Sequence, residues 1–293
     1  MKIVENRRKF FLLSLIVILA GIAAMIFHAA AGEGALNWDV EFTGGTTMEI
    51  NLGAAYEAGD LEKIISDATG QSSPQVQQVL GTDAVQLRLQ SIDSPTRQAL
   101  LAAIQAAYPD AELVETNDIS GTVSGEMQRN AIKATLIACA AMLLYISLRF
   151  RDFRAGSSAI LALLHDVLVV LAAYAILRIP VNQTFIAVLL TILGYSVNAT
   201  IVIFDRVREN RETFSRGQAA ERINKSIGQT LKRSINTSLT TLFTVGAIYF
   251  LGVPSIKEFA LPMMVGIIAG AYSSVCISGS IWYLLLPKSE KER

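Results

Sequence analysis

An adjacent histidine and aspartate, His165 and Asp166, lie within an otherwise apolar stretch of the sequence. The run 158–177 around them is long enough to cross a bilayer as a helix. At about 1.5 Å per residue, Asp166 lies roughly 12 Å from the start of this run. An ionised carboxylate at that depth costs at least about 2.5 kcal/mol unless it is paired or hydrated. Both residues are therefore candidates for a proton relay, and a structural hydrogen-bonding or packing role is the alternative.

A second group of residues interrupts the apolar run 183–204 and continues just beyond it. Its members are Gly194, Tyr195, Ser196, Asn198, Asp205 and Arg206. Polar groups inside a membrane helix usually face a protein interior or a water-filled path, and they often mark function. A hydrogen-bonding seam between helices, with a charged exit to water, is the structural alternative.

Two further runs carry small or polar residues at helical spacing. In the run 234–251, Asn236 accompanies a stripe that includes Thr237 and Thr241, which share one helix face. The run 261–286 has small residues at every fourth position, namely Gly266, Gly270, Ser274 and Ser278. We predict a polar seam on the first run and a seam for close helix contact on the second. We also expect Asn198 and the threonine stripe to supply hydrogen bonds to a protonation site at Asp166, provided that their helices adjoin the helix that carries it.

The residue types do not indicate catalysis, a metal site or a bound cofactor, and we expect that the protein is not an enzyme. Cys139 and Cys276, the two cysteines, lie in apolar runs, so neither a disulfide framework nor a zinc site is indicated. The polar segment 32–127 contains no histidine and no cysteine. We expect no nucleic-acid partner.

The composition is that of a membrane protein, because 52% of the 293 residues are hydrophobic and 17% are charged. A basic N-terminus precedes the apolar run 10–27, which is long enough to be an uncleaved membrane helix and not a signal peptide. Five more runs follow, at 131–148, 158–177, 183–204, 234–251 and 261–286. The sequence therefore predicts a polytopic α-helical membrane protein with six transmembrane helices.

Basic residues concentrate at one set of helix ends, which predicts the orientation. The N-terminus, the segments 149–154 and 205–233, and the C-terminus carry most of the lysines and arginines. Both termini are therefore predicted to be cytoplasmic, and the segment 32–127 to be extracytoplasmic. In the cytoplasmic loop 205–233, Ile223 and Ile227 follow helical spacing and predict a helix on the membrane surface.

The acidic segment 32–127 is large enough for one small domain. Its predicted strands are 46–52, 76–80, 84–89 and 111–116, with a turn at 81–83. Its predicted helices are 61–68 and 95–107, the second capped by Ser94. This order suits an α+β, ferredoxin-like domain between the first two membrane helices. The chain thus divides into 1–31 (N-terminus and first helix), 32–127 (external domain) and 128–293 (five-helix domain with the loop 205–233).

Several motifs lie along most of the chain. The fourth apolar run carries GYS at 194–196, Asn198, FDR at 204–206 and REN at 208–210. FTGGT at 42–46 includes Phe42, Gly44 and Gly45, HDV occupies 165–167, and RSINTSLTT occupies 233–241. Together they resemble the SecF subunits of the SecD/SecF family of bacterial protein-export proteins, in the RND-like superfamily. In that family FTGGT opens the external domain.

The resemblance implies an accessory subunit of the Sec machinery in the bacterial cytoplasmic membrane. Such a subunit pairs with SecD, associates with the SecYEG channel and uses the proton-motive force to promote late steps of polypeptide translocation. YajC and YidC, the translocating polypeptide and the lipid bilayer are the further partners that it implies. No cofactor is implied.

Two positions depart from the family pattern. Glu41 stands where the family often has aspartate, and it keeps the charge. Ala199 stands where many members carry the carboxylate assigned to proton coupling, and alanine cannot titrate. A relay would then use Asp166, His165 or a carboxylate of the partner. The alternatives are a static membrane scaffold for SecD and an RND-like half-transporter for small molecules or lipids.

Overall fold

The computed structural model describes residues 2–32, 34–54, 56–71, 75–78, 84–215, 217–252 and 254–291. The chain forms two compact units. The helical unit comprises Met1–Asn37, Lys133–Pro180 and Thr184–Arg293. The sheet unit comprises Trp38–Ile132 and Val181–Gln183.

The helices are α1 (Arg7–Ala30), α2 (Val40–Thr43), α3 (Ala58–Thr69), α4 (Ser94–Ala107), α5 (Gly121–Phe150), α6 (Phe153–Leu177), α7 (Gln183–Glu209), α8 (Ala219–Leu251), α9 (Pro254–Tyr272), α10 (Gly279–Leu285) and α11 (Lys288–Lys291). A short 3₁₀ helix spans Asn210–Glu212, and a π-helical segment spans Ser273–Ser278 between α9 and α10. The strands are β1 (Gly45–Asn51), β2 (Gln75–Gln78), β3 (Ala84–Leu89) and β4 (Glu112–Ile119).

Six helices within the described chain are long and apolar enough to cross a membrane, and the chain is a multi-pass membrane protein. They are α1, α5, α6, α7, α8 and the composite last helix from α9 to α10. Each predicted apolar run falls within one of them, apart from Leu286, which caps the last helix. The helices extend beyond the runs because helical hydrogen bonding continues where the side chains become polar.

The predicted surface helix in the loop 205–233 is wrong. Helix α7 continues to Glu209, and α8 runs without a break from Ala219 to Leu251, so most of the loop belongs to two long helices. Ile223 and Ile227 are fully buried in the helical unit. Their apolar spacing therefore reflects helix packing and not contact with the membrane surface.

Aromatic side chains contribute to a buried core of the helical unit. The Phe204 ring lies 5.9 Å from the Phe150 ring and 4.7 Å from the Trp282 ring, measured between centroids. Ile223 and Ile227 belong to the same buried cluster. The core thus joins the end of α5, the second half of α7, the start of α8 and α10.

Small residues set the closest helix contacts. A Cβ added at Gly266 would overlap the Ile192 side chain, and one at Gly270 would lie 3.0 Å from the Ser196 Cβ. The predicted close-contact seam on the last helix is therefore confirmed, and it packs against α7. On the first helix, a Cβ added at Gly21 would overlap Ala172 of α6.

The sheet unit contains a four-stranded antiparallel sheet with the spatial order β2-β3-β1-β4 among the described residues. Strand β1 is central, so that Met48 pairs with Leu87 of β3 and with Thr116 of β4. Fully buried residues of the sheet, including Met48, pack against Leu100 and Ile104 of α4. Met48 belongs to the apolar face that alternation along β1 predicts, and Leu100 and Ile104 belong to the face that helical spacing along α4 predicts.

Some local predictions in the sheet unit differ from the structure. The N-cap of α4 is Asp93 and not Ser94, since the Asp93 Oδ1 accepts a hydrogen bond from the Thr96 N–H at 3.0 Å. A carboxylate at this position also interacts favourably with the helix dipole. Strand β4 is longer than predicted. The predicted turn at 81–83 lies outside the described residues.

Candidate functional site

Asp166 lies near the middle of α6, is fully buried and has hydrogen bonds at both carboxylate oxygens. Its Oδ2 accepts hydrogen bonds from the Ser196 hydroxyl at 2.5 Å and from the Ser273 hydroxyl at 2.8 Å. Its Oδ1 lies 3.0 Å from the His165 Nδ1. Three helical segments, α6, α7 and the π-helical segment, therefore meet at one carboxylate.

His165 extends this network to the first helix. Its Nε2 lies 2.9 Å from the hydroxyl oxygen of Ser14 on α1. The His165 ring also lies 6.0 Å from the Tyr272 ring, between centroids. Ser14, His165, Asp166 and the two serines thus form one continuous hydrogen-bonded chain through the interior of the helical unit, which we call the Asp166 network.

The local structure explains how these side chains reach Asp166. Gly270 permits close approach of the last helix to α7 at Ser196. One turn later the helix widens into the π-helical segment, where the consecutive residues Ser273 and Ser274 are both fully buried. The Ser273 hydroxyl donates to Asp166, and the Ser274 hydroxyl contacts the Thr200 hydroxyl of α7 at 3.1 Å. Single-turn π segments are rare and frequently occur at functional sites.

The residues predicted on the fourth membrane helix separate in the structure. Ser196 belongs to the Asp166 network, whereas Gly194 and Asn198 are exposed on the surface of the helical unit. The Tyr195 hydroxyl is buried and has no hydrogen-bond partner in the described part of the chain. The sequence suggested Asn198 as a hydrogen-bond donor to the protonation site, and this prediction is wrong because helical periodicity turns Asn198 away from Ser196.

The charged end of α7 lies apart from the Asp166 network. Asp205 forms ion pairs with Arg149 at 3.1 Å and with Arg208 at 3.3 Å. Arg206 Nε donates to the Gln229 side chain at 2.7 Å, and Arg206 Nη1 pairs with Glu209 at 2.7 Å. Asp205 and Arg206 therefore stabilise the helix end.

The residues predicted on the fifth membrane helix do not reach Asp166. The hydroxyls of Thr237 and Thr241 donate to backbone carbonyls one turn earlier in α8, at 2.9 and 3.0 Å. Asn236 and Thr237 are exposed, and Thr241 is half-buried. A threonine hydroxyl in a helix can satisfy itself on the preceding turn, and the proposed contribution of this stripe to the protonation site is therefore wrong.

The predicted signature of the external domain has a structural role in the sheet unit. Phe42 is buried within α2, and Gly44 and Gly45 follow with φ values of 77° and 149°. Glycine adopts these values readily, and a Cβ at Gly45 would overlap the Leu89 carbonyl. Glu41 Oε2 accepts a hydrogen bond from the Gln183 N–H at 2.6 Å, at the first residue of α7.

Ser14 and Ser273 were missed by the sequence predictions. Ser14 is the single polar residue in the run 10–27, and that isolation was a usable signal. Ser273 lies next to the predicted small-residue seam but outside its four-residue spacing, and the π-helical widening brings it inward. Within the described residues, no cluster of three or more histidine, cysteine, aspartate or glutamate side chains could hold a metal ion.

A family model described as "Protein export membrane protein SecD/SecF, C-terminal" matches residues 99–288, about two thirds of the chain. The chain belongs to the SecD/SecF family. This membership gives the chain a role in protein export. Similar proteins are named protein translocase subunits.

Individual relatives in the SecD/SecF family cover nearly the whole chain. Protein translocase subunit SecF of Alicyclobacillus acidocaldarius is 36% identical over 99% of this chain and 94% of its own length. SecF of Thermobaculum terrenum is 37% identical over 93% of this chain and 90% of its own length. SecDF of Thermus thermophilus is 34% identical over 90% of this chain and 36% of its own length.

Two crystal structures of SecDF share the fold. One, titled as a translocon-associated membrane protein from Thermus, matches 96% of this chain with a TM-score of 0.84 and 31% identity. The other, in a form titled super-membrane-facing, matches with a TM-score of 0.68 and 30% identity. The chain spans 38% of the length of each solved SecDF chain.

Proposed function

We propose that this chain is a proton-coupled accessory subunit of the Sec export machinery that pairs with SecD. In this proposal it uses the proton-motive force to promote late steps of polypeptide translocation across the bacterial cytoplasmic membrane. The observation that carries the proposal is the fully buried Asp166 in a membrane-spanning helix, bonded to a histidine and to two hydroxyls. Buried intramembrane carboxylates with such partners are typical of proton relays.

The geometry limits where the proton can reside. Two hydroxyls donate to Oδ2 of Asp166, so that oxygen acts as an acceptor. In this proposal one proton is shared between Oδ1 and the His165 Nδ1, which lie 3.0 Å apart. A second proton on the His165 Nε2 makes the pair neutral, and its loss leaves one negative charge. The pair therefore takes up or releases one proton through the side of His165 that faces Ser14.

One end of the Asp166 network reaches a cavity. Ser14, His165 and Tyr272 line a cavity of about 300 Å³, whose other lining residues are apolar. We propose that protons enter or leave the network here. Position 199 on α7 is an alanine, which cannot carry a proton. The proposed route uses no group at that position.

Pairing with SecD is supported by polar side chains on the outer faces of two membrane helices. Asn198 on α7 and Asn236 and Thr237 on α8 are exposed on the helical unit. Polar side chains facing lipid are costly, and partner helices are a favourable cover for them. SecDF of Thermus thermophilus combines both subunit names in one protein, and its crystal structure is titled translocon-associated. We extend this to association with SecYEG, with YajC and YidC as further candidates.

The proposal includes the orientation and the external domain. Most basic residues lie at one set of helix ends, which places both termini in the cytoplasm and the sheet unit outside. The β-α-β-β-α-β order of the main elements and the antiparallel order β2-β3-β1-β4 support a ferredoxin-like fold for that unit. It corresponds to the predicted domain 32–127, between the first helix and the five-helix part 128–293.

Asp166→Asn tests the proton function, with Asp205→Asn as the matched control. Asparagine keeps the size of the side chain and most hydrogen bonding but cannot titrate. We expect Asp166→Asn to abolish most of the uncoupler-sensitive release of an exported reporter protein in cells, at matched protein levels. Asp205→Asn should retain most of it, because Asp205 is partly exposed and pairs with arginines at the helix end.

If the Asp166→Asn variant retains the full uncoupler-sensitive release of the reporter, a proton path through Asp166 is excluded. The relay would then lie in the partner, and a static scaffold for SecD would be the better description. Ser14→Ala adds a second test, because it removes the hydroxyl beside the His165 Nε2 and leaves Asp166 intact. We expect an intermediate loss from this variant.

A further inference from the structure

A basic cavity lies in the helical unit, and none of the residues of the Asp166 network lines it. Its volume is about 770 Å³, and it lies where α5 and α7 end and where α6 and α8 begin. Six arginines line it, with two carboxylates, Asp152 and Glu290. The arginines are Arg149, Arg151, Arg154, Arg208, Arg211 and Arg222.

Internal ion pairs satisfy half of these arginines. Arg149 and Arg208 share Asp205. Arg154 lies 3.0 Å from Asp152 and 3.8 Å from Glu290. These pairs use Asp152, Glu290 and Asp205, so the six arginines leave an excess of positive charge at the cavity.

The other three arginines, Arg151, Arg211 and Arg222, form no side-chain ion pair or hydrogen bond with another described residue. Arg222 is half-buried, and its Nε is shielded from solvent without a hydrogen-bond partner. Glu290 attracts the Arg222 guanidinium without forming an ion pair with it, and Arg211 repels it more weakly. Because a buried unsatisfied guanidinium is costly, an anion that bonds to it would stabilise this arrangement.

Apolar surface continues from the cavity along α5. Leu148 lines the cavity and is 69% exposed, and Leu144, one turn earlier on the same helix face, is 62% exposed. Phe150 and Trp282 also line the cavity, and the guanidinium carbons of Arg149 and Arg208 lie 5.6 and 5.8 Å from the Phe150 ring centroid. Arginines next to an exposed apolar stripe on a membrane-spanning helix match a ligand with a phosphate head and a hydrocarbon tail.

We infer that this cavity binds the phosphate headgroup of an anionic phospholipid, with an acyl chain along the outer face of α5. Arg222, Arg211 and Arg151 would bond to the phosphate oxygens, since planar guanidinium groups suit phosphate. The bound headgroup would connect the turn between α5 and α6 with the start of α8. The inference is independent of the proton path and of the proposed orientation, because both leaflets supply phospholipid.

Trp282 provides a local probe of this cavity. Trp38 and Trp282 are the two tryptophans, so Trp38→Phe leaves Trp282 as the single tryptophan, whose fluorescence is excited selectively over that of the tyrosines. The full chain with this substitution is placed in phosphatidylcholine nanodiscs that contain increasing fractions of phosphatidylglycerol with brominated acyl chains, which quench tryptophan. We expect saturable quenching at a low fraction, whereas brominated phosphatidylcholine at the same fraction should quench weakly.

Arg222→Gln tests the site, and Lys225→Gln is its matched control. Both remove one positive charge from the first two turns of α8, but Lys225 is exposed and does not line the cavity. We expect Arg222→Gln to raise the half-saturating lipid fraction about tenfold, as loss of one charge-assisted hydrogen bond predicts. Lys225→Gln should change it less than about twofold. Arg211→Gln, at an exposed position, should raise it about threefold.

Competition with inorganic phosphate distinguishes a lipid headgroup from a soluble phosphate compound as the ligand. Phosphate that fails to relieve the quenching supports a lipid headgroup. Phosphate that relieves it in the parent chain, but not after Arg222→Gln, overturns the lipid assignment and indicates a soluble phosphate compound. Quenching that rises in proportion to lipid without saturation, or equal effects of Arg222→Gln and Lys225→Gln, would overturn the site itself.

Discussion

Burial of the Asp166 carboxylate costs free energy, which interactions with its immediate neighbours must offset. Removing a carboxylate from water costs several kcal/mol, and hydrogen bonds to the charged form offset part of it. The Ser196 and Ser273 hydroxyls and the His165 ring provide those bonds. In the sheet unit, Asp39 and Arg88 solve the same problem differently, as a buried ion pair at 2.9 Å. At this scale, a few individual hydrogen-bond donors and ion-pair partners make burial of a carboxylate possible.

Asp118 gives the clearest pH dependence at a single residue outside the membrane helices. Its Oδ1 accepts from the Thr46 hydroxyl at 2.6 Å, and its Oδ2 pairs with Arg97 at 2.8 Å. The Thr46 hydrogen bond, followed by Arg97, holds the pKa of Asp118 below its usual range. Because the folded pKa is lower than the unfolded one, this stabilisation is present above about pH 4 and is lost as the pH falls through the folded value.

We therefore expect the free energy of opening of β1 to decrease as the pH falls below about 4. In Asp118→Asn this decrease should be smaller. The effect should be about 1 kcal/mol or less, because the Asp118 side chain is 52% exposed. Hydrogen exchange at residues 45–51 of the full chain, corrected for intrinsic rates, measures it. Asp67→Asn, at an exposed position on α3, is the control and should leave the profile unchanged. An unaltered profile in Asp118→Asn would contradict the role of this carboxylate.

Helix contacts in this protein depend on small residues at the crossing points. The Cβ of an alanine at position 21 would overlap the Cα and Cβ of Ala172, and a backbone atom cannot move aside as a flexible side chain can. The same pair of helices, α1 and α6, carries the Ser14–His165 contact. Spacing between these helices therefore determines whether the Asp166 network reaches α1.

Gly21→Ala should separate α1 from α6 and destabilise the helical unit by about 1–3 kcal/mol, as overpacking usually does. Uncoupler-sensitive export should fall with it, because the Ser14–His165 contact lengthens. Gly228→Ala on α8 is the matched control, since an added Cβ there meets no atom within 4 Å. Helix propensity predicts that this control is neutral or stabilising by about 1 kcal/mol. Thermal unfolding in detergent measures the stability of both variants. Equal unfolding midpoints for Gly21→Ala and Gly228→Ala would contradict the close contact between α1 and α6.

The whole molecule combines a multi-pass helical unit with a compact sheet unit, and its proposed orientation is directly testable. Glu62 on α3 and Ser215 after α7 are both exposed. In a background without Cys139 and Cys276, a cysteine at Glu62 should react with a membrane-impermeant maleimide on intact cells. A cysteine at Ser215 should react only after permeabilisation, because basic helix ends stay in the cytoplasm. Equal labelling in intact cells would rule out the proposed arrangement.

The sequence alone was sufficient for features that depend on local pattern. The length of each apolar run predicts the six membrane helices, because a bilayer sets a minimum helix length. Alternation in β1 and helical spacing in α4 predict the buried residues Met48, Leu100 and Ile104. The seam that begins at Gly266 follows from its four-residue spacing. His165 and Asp166 stand out as polar residues in an apolar run.

Tertiary structure decided which polar groups meet Asp166. The sequence favoured Asn198 and the Thr237 stripe, but the partners are Ser196, Ser273 and, through His165, Ser14. The spacing of residues along one helix predicts which of them share a face. Which helix packs against that face depends on how the helices cross. The π-helical segment adds a change of register that no regular period predicts. A serine can also bond to its own helix or to a neighbour with similar free energy, and only the packed bundle selects between them.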